Sequence, residues 1–218
     1  YTINFVDLWS IDEIIIIDIS EEKKLDIKFL DWVSSFTKNS FVPIAMGGGI
    51  SNCKDIESVL KKGADKVVIG TNAYLNKSLI KDAVKNFGSS TITTSIDLKL
   101  VNNEFCIYIN NGKTKVEEKI DDYIKHLEDS GSGEILINSI DKDGSLEGYE
   151  KDIIFEISNK TKLPCIAAGG AGKWEDFFEI LKNENIYGAC TSNIYHFTEK
   201  SIMSAKKYLN NKKILIRD

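Results

Sequence analysis

The chain has 218 residues, 42% of them hydrophobic, with a formal net charge of −5. That length and apolar content suffice for one large domain with a substantial core, and the acidic balance argues against a nucleic-acid-binding surface. No apolar run approaches ~18 residues, so no membrane-spanning helix is expected.

Short apolar runs alternate with amphipathic segments along the whole chain. Strands are predicted at Glu13–Ile19, Val42–Met46 and Lys66–Ile69, with helices at Cys53–Lys62 and Leu79–Phe87. A fourth strand, Thr91–Asp97, leads into a hairpin-like insertion, Leu98–Lys115, that carries an Asn-Asn-Gly turn at Asn110–Gly112. Then come a helix at Ile120–Ser130, a strand at Glu134–Ser139 and a helix at Asp152–Lys160. The strand Leu163–Ala168 breaks into Gly169, Gly170 and Gly172 before the helix Trp174–Asn183, and a last strand spans Tyr187–Ser192. Strands alternating with helices imply a parallel sheet. Seven strands suggest a (β/α)8 barrel short of one strand, with a doubly wound open sheet as the rival.

An internal repeat favours the barrel. At a constant offset of 121 residues "VPIAMGGGISNCKDI" aligns with "LPCIAAGGAGKWEDF". The same offset pairs Glu13 with Glu134, Pro43 with Pro164, Gly48 and Gly49 with Gly169 and Gly170, Thr71 with Ser192, and Asn72 with Asn193. Two similar halves fit a barrel made of two half-barrels. The mate of the strand ending at Asp97 falls before Tyr1, so the expectation is a single α/β TIM-barrel domain over residues 1–218, lacking its first strand, which would itself end near a carboxylate.

The C-terminal ends of barrel strands form the active face. Gly47–Gly49 and Gly70–Asn72 end two neighbouring strands, and Gly169–Gly172 and Thr191–Asn193 end two others. Each pair offers backbone N–H groups and one hydroxyl, Thr71 or Ser192. Backbone amides suit phosphate here, because Arg217 is the only arginine and bidentate forks are absent. Two facing phosphate sites imply a substrate with a phosphate at each end. Asp97 would lie between them as a general acid or base, with a salt bridge to Lys99 or a loop amide as the alternative. Asp18 would shape the same rim. Asp143 and Gly144 read either as a turn or as phosphate-binding amides. His196 follows the last strand and reads as a packing or capping residue. At the strand starts, Glu13, Lys66 and Glu134 read either as solvent-facing charges or as a ring closing the bottom of the core, a gate for something small. Cys53, Cys106, Cys165 and Cys190 form no C-x-x-C pair and read as reduced, cytoplasmic thiols that pack as small hydrophobes. Neither metal nor cofactor is implied.

The segments "DEIIIIDIS", "PIAMGGGI", "GADKVVIGTNA", "SIDLK", "GSGEILINSIDKDG", "PCIAAGGAGK" and "YHFTE" together resemble the cyclase subunits of imidazole glycerol phosphate synthase, the HisF-like family. The resemblance implies a (β/α)8 barrel that takes ammonia from a glutaminase partner. It also implies attack of that ammonia on a bisphosphorylated ribulose-type substrate, then cyclisation and cleavage, in histidine biosynthesis. By motif, Asp97 matches one of two catalytic aspartates, the other belonging to the absent strand. Glu13, Lys66 and Glu134 match an ammonia gate. Gly48, Gly49, Thr71, Asp143, Gly144, Gly169, Gly170 and Ser192 match substrate or phosphate positions. Gly70, Ala168 and Asn138 stand where Asn, Ser and Thr are usual. Two other readings stay open at this point: a relative that forms an amidino group on a surface-polysaccharide sugar, and a non-catalytic barrel that only docks and activates a glutaminase.

Overall fold

The isoleucine run Ile14–Ile17 forms β1 and pairs in parallel with β2, Ile44–Gly47, in the register Ile14 to Ile44 and Ile17 to Gly47. β-Branched side chains suit such strands because their restricted χ1 packs well on a pleated surface. The structure, a computed structural model, describes residues 11–20, 24–38, 40–192, 194 and 201–217. The chain falls into two units, residues 1–94 with 129–133 and residues 95–128 with 134–218.

In the first unit β2 pairs with β3, Lys66–Ile69, and β3 with the opening residues of β4, Ile92–Val101, again in parallel. Its helices are α1 (Ile27–Thr37), α2 (Cys53–Lys61), α3 (Thr71–Leu75) and α4 (Leu79–Phe87). Two of the starts carry a side-chain cap. Asp26 Oδ1 accepts from Lys28 N at 2.9 Å, and Asn52 Oδ1 from Lys54 N and Asp55 N at 2.9 and 3.1 Å, satisfying amides that the helix leaves unpaired. Leu30 and Val33 of α1, Ile56 and Val59 of α2 and Ile80 and Ala83 of α4 pack with Met46, Val67, Ile69 and Ile92 in one buried cluster. The helix α1 has no counterpart in the sequence reading.

In the second unit β4 runs past Asp97 and folds back as an antiparallel hairpin with β5, Glu104–Ile109, in the register Asp97 to Tyr108 and Val101 to Glu104. The strand predicted to stop at Asp97 therefore continues to Val101. The turn responsible is Asn102-Asn103, both at positive φ (51° and 64°), where asparagine is tolerated. The predicted turn at Asn110–Gly112 also forms, joining β5 to β6, Thr114–Lys115. Next come α5 (Ile120–Asp129), β7 (Glu134–Ser139), α6 (Lys151–Lys160), β8 (Cys165–Ala168), α7 (Trp174–Leu181), β9 (Ile186–Ala189) and α8 (Ser201–Asn211). β7, β8 and β9 pair in parallel, and β7 neighbours β4. Cys165 is fully buried in β8, and burial pushes its thiol up to about 12, as a packed and unreactive cysteine requires.

The repeat is written in the hydrogen bonds of both units. Ile14 N donates to Pro43 O at 3.0 Å, and its mate Ile135 N donates to Pro164 O at 2.9 Å. Ser51 N donates to Asp55 Oδ2 at 2.8 Å, and Gly172 N to Asp176 Oδ2 at 2.9 Å. The residues before α2 and α7, Asn52 and Lys173, share a backbone geometry of φ/ψ −158°/171° and −151°/165°. The fold is a parallel α/β fold of the TIM-barrel type built from two repeats, as the sequence predicts.

Candidate active site

Asp97 lies near the middle of β4, partly buried. Its Oδ1 accepts a hydrogen bond from Asn138 Nδ2 at 3.1 Å and a long one from Ser95 Oγ at 3.4 Å. Burial raises the Asp97 carboxyl above the usual aspartate range; the two donors pull it back, and the Asp143 charge adds to the rise. No salt bridge to Lys99 forms; that ammonium lies over the Tyr108 ring, 5.7 Å from its centroid.

Asn138 occupies the C-terminal part of β7, pairing in register with Ala168 of β8. Glu134, Leu136 and Asn138 share one face by the two-residue period of a strand, and that period is the signal by which sequence reading could have found Asn138. The Asn138 amide oxygen also stands 3.2 Å from where a side chain on Gly169 would begin. One side chain therefore bonds the carboxylate and lies beside the glycine turn after β8.

That turn forms one wall of a small cleft lined by Asp143, Gly144, Gly169, Gly170, Thr191 and Ser192, among others. Among the described residues of the lining, Asp143 alone is charged. The loop after β7 is fastened onto the turn: Gly148 N donates to Gly170 O at 2.7 Å, and Tyr149 Oη donates to Cys190 O at 2.9 Å. A Cβ on Gly169, at φ 87°, would sit 2.6 Å from Ser139 O, so only glycine permits this approach. Five of the positions expected to hold phosphate, Asp143, Gly144, Gly169, Gly170 and Ser192, are thus gathered at one cleft. Neither Tyr149 nor Asp176, which hold its loops in place, was anticipated from sequence. Asn193 and His196 lie outside the described residues.

The first unit repeats the motif. Gly48 and Gly49 follow β2 at φ 107° and 66°, and a Cβ on Gly48 would meet the Asp18 backbone oxygen at 2.6 Å, as Gly169 meets that of Ser139, the repeat mate of Asp18. Asp18 Oδ1 accepts from Ser20 N at 2.8 Å, so this carboxylate shapes the rim loop. Thr71 opens α3 directly after β3, and Asn72 Nδ2 ties down the glycine loop by donating to Ile50 O at 2.7 Å. At the strand starts of the same unit, Lys66 Nζ pairs with Glu13 Oε2 at 3.2 Å, and the lysine side chain is only 18% exposed. Lys66 is therefore not a solvent-facing charge. Glu134 begins β7 in the second unit.

Comparison with known proteins places this geometry in context. The profile of the family described as "Histidine biosynthesis protein" matches residues 4–201. The chain is 36% identical over 206 residues to the imidazole glycerol phosphate synthase subunit HisF of Natranaerobius thermophilus, covering 94% of this chain and 82% of that protein. It is 38% identical over 207 residues to the HisF subunit of Dictyoglomus turgidum, with the same coverage. To the HisF subunit of Sulfurisphaera tokodaii it is 37% identical over 206 residues, again covering 94% and 82%.

Proposed function

The chain belongs to the histidine biosynthesis protein family, and on that premise we propose that it is a cyclase subunit of imidazole glycerol phosphate synthase. In this reading it takes ammonia from a glutaminase partner and converts a bisphosphorylated ribulosyl aminoimidazole carboxamide to imidazole glycerol phosphate. The observation that carries the reading is the Asn138 side chain, which donates to Asp97 and lies beside the Gly169 turn, linking a carboxylate able to transfer protons to the cleft.

The steps follow from the residues. The cleft of Asp143, Gly144, Gly169, Gly170 and Ser192 holds one phosphate; Gly48, Gly49 and Thr71, the repeat mates, hold the other. With both ends fixed, the reacting carbon is presented to Asp97 and the reaction gains the advantage of orientation. Asp97 acts as general acid or base, its proton affinity raised by burial. Ammonia enters from the opposite ends of the strands, past Glu13, Lys66 and Glu134. In this reading the Lys66–Glu13 pair stands at that entry.

The test is turnover of the bisphosphorylated substrate by the full-length protein with ammonium salt as the only nitrogen source. Product formation without glutamine is expected. A folded protein that forms none contradicts the reading.

A further inference from the structure

We propose that Asn138 is a positioning residue that selects which oxygen of Asp97 exchanges protons with the substrate, an inference that rests on the function proposed above. Both donors that reach Asp97 converge on Oδ1: Asn138 Nδ2 at 3.1 Å and Ser95 Oγ at 3.4 Å. Among the described residues none donates to Oδ2. A carboxylate held this way has one oxygen engaged and one available, and the available oxygen is the one that can take or give a proton. The two donors are not equivalent. The Asn138 bond has ordinary length, and the Ser95 contact lies at the limit of a hydrogen bond, so Asn138 does most of the holding.

Asn138 also sets where the available oxygen sits. Its strand is registered against β8, Asn138 opposite Ala168, and its own amide oxygen lies against the Gly169 position of the cleft. The amide side chain is therefore a spacer of fixed length between the cleft that receives one end of the substrate and the carboxylate that works on its middle. A shorter side chain at this position could not reach both. Among the described residues, the ionisable groups near Asp97 include Asp143 in the loop after β7, Tyr108 opposite it on β5, and Lys99 two residues further along β4. Tyr108 and Lys99 engage each other, and among the described residues Asp143 is the charge that bears on Asp97.

The experiment is a carboxyl 13C NMR titration of Asp97 in the full-length protein without ligand, comparing wild type with Asn138→Leu, Asn138→Ser and Ser95→Ala. Loss of a donor to the charged form destabilises the carboxylate, so the Asp97 titration moves to higher pH in both Asn138 variants and moves less in Ser95→Ala. Asn138→Ser is too short to bridge and serves if leucine packs poorly. In kinetics with ammonia, kcat falls by ~10- to 100-fold in the Asn138 variants, the pH profile shifts in the same direction as the titration, and KM changes little. An Asp97 titration that is unmoved in both Asn138 variants, or moved more by Ser95→Ala, overturns the proposal. Absence of turnover in wild type, with the titration shifted as expected, contradicts the function and leaves the Asn138–Asp97 link standing.

Discussion

Lys66 Nζ lies 3.2 Å from Glu13 Oε2, and the lysine side chain is the less exposed partner, at 18% against 43%. The pair joins the start of β3 to the residue preceding β1, with β2 between them. The exposure of Glu13 keeps the pair a weak contributor to stability, about 0–1 kcal/mol. Lys66→Ala should therefore leave the melting temperature nearly unchanged. In the presence of the glutaminase, it should lower turnover with glutamine more than turnover with added ammonium salt. Equal loss with both nitrogen sources would show that Lys66 does not act on ammonia entry.

Asp97 carries a stability cost as well as a function. Its folded-state affinity for protons is raised, mainly by burial. Between the unfolded and folded values the native state binds more protons, so stability falls as pH rises through that window. Asp97→Asn keeps an oxygen to accept from Asn138 and removes the buried charge. The variant should melt higher than wild type at neutral pH, and the difference should shrink as pH falls below the ordinary aspartate value of ~3.9. Thermal melts at neutral and acidic pH measure both.

Glu128 behaves oppositely. Lys162 N and Thr161 Oγ1 donate to its Oε1, the latter at 2.7 Å, and hold its carboxyl below the usual glutamate range, led by the Lys162 amide. A depressed carboxyl contributes stability above the unfolded value of ~4.3 and loses it as pH falls through the folded value. Glu128→Ala should cost about 1 kcal/mol at neutral pH, a figure kept low for its exposure, and almost nothing in strong acid. Denaturant titrations at the two pH values give the difference directly.

Ser192 lines the cleft with Gly169 and Gly170. If it binds one phosphate equally in substrate and transition state, Ser192→Ala raises KM with kcat unchanged. One lost hydrogen bond to a charged group predicts a rise of ~10-fold. Steady-state kinetics with ammonia separate the two constants; a loss confined to kcat would place Ser192 in the chemical step.

Much of this was legible in the sequence because two signals reinforced each other. Apolar runs ending in glycines located the strand tips, and the repeat at 121 residues tied Gly48 to Gly169 and Pro43 to Pro164, pairs whose backbone geometry and hydrogen bonds do coincide. The hairpin insertion was read, but its first turn was harder. Asn102-Asn103 lacks the glycine that marks most such turns, and its positive φ values are allowed by asparagine without being demanded. The helix α1 was missed because its buried residues, Leu30, Val33 and Phe36, are interrupted by an exposed Trp32 that blurs the period. Asn138 was visible as an unusual residue, but its bond to Asp97 joins two strands 41 positions apart, and only the folded register brings them together.

The most direct test of the central claim is ammonia-dependent turnover by Asp97→Asn, with the fold checked by its melting temperature and binding checked with substrate. A folded protein that binds the bisphosphorylated substrate and turns it over at least ~100-fold more slowly is the predicted result. A folded Asp97→Asn protein with wild-type turnover would contradict the account, because the carboxylate would then have no part in the chemistry.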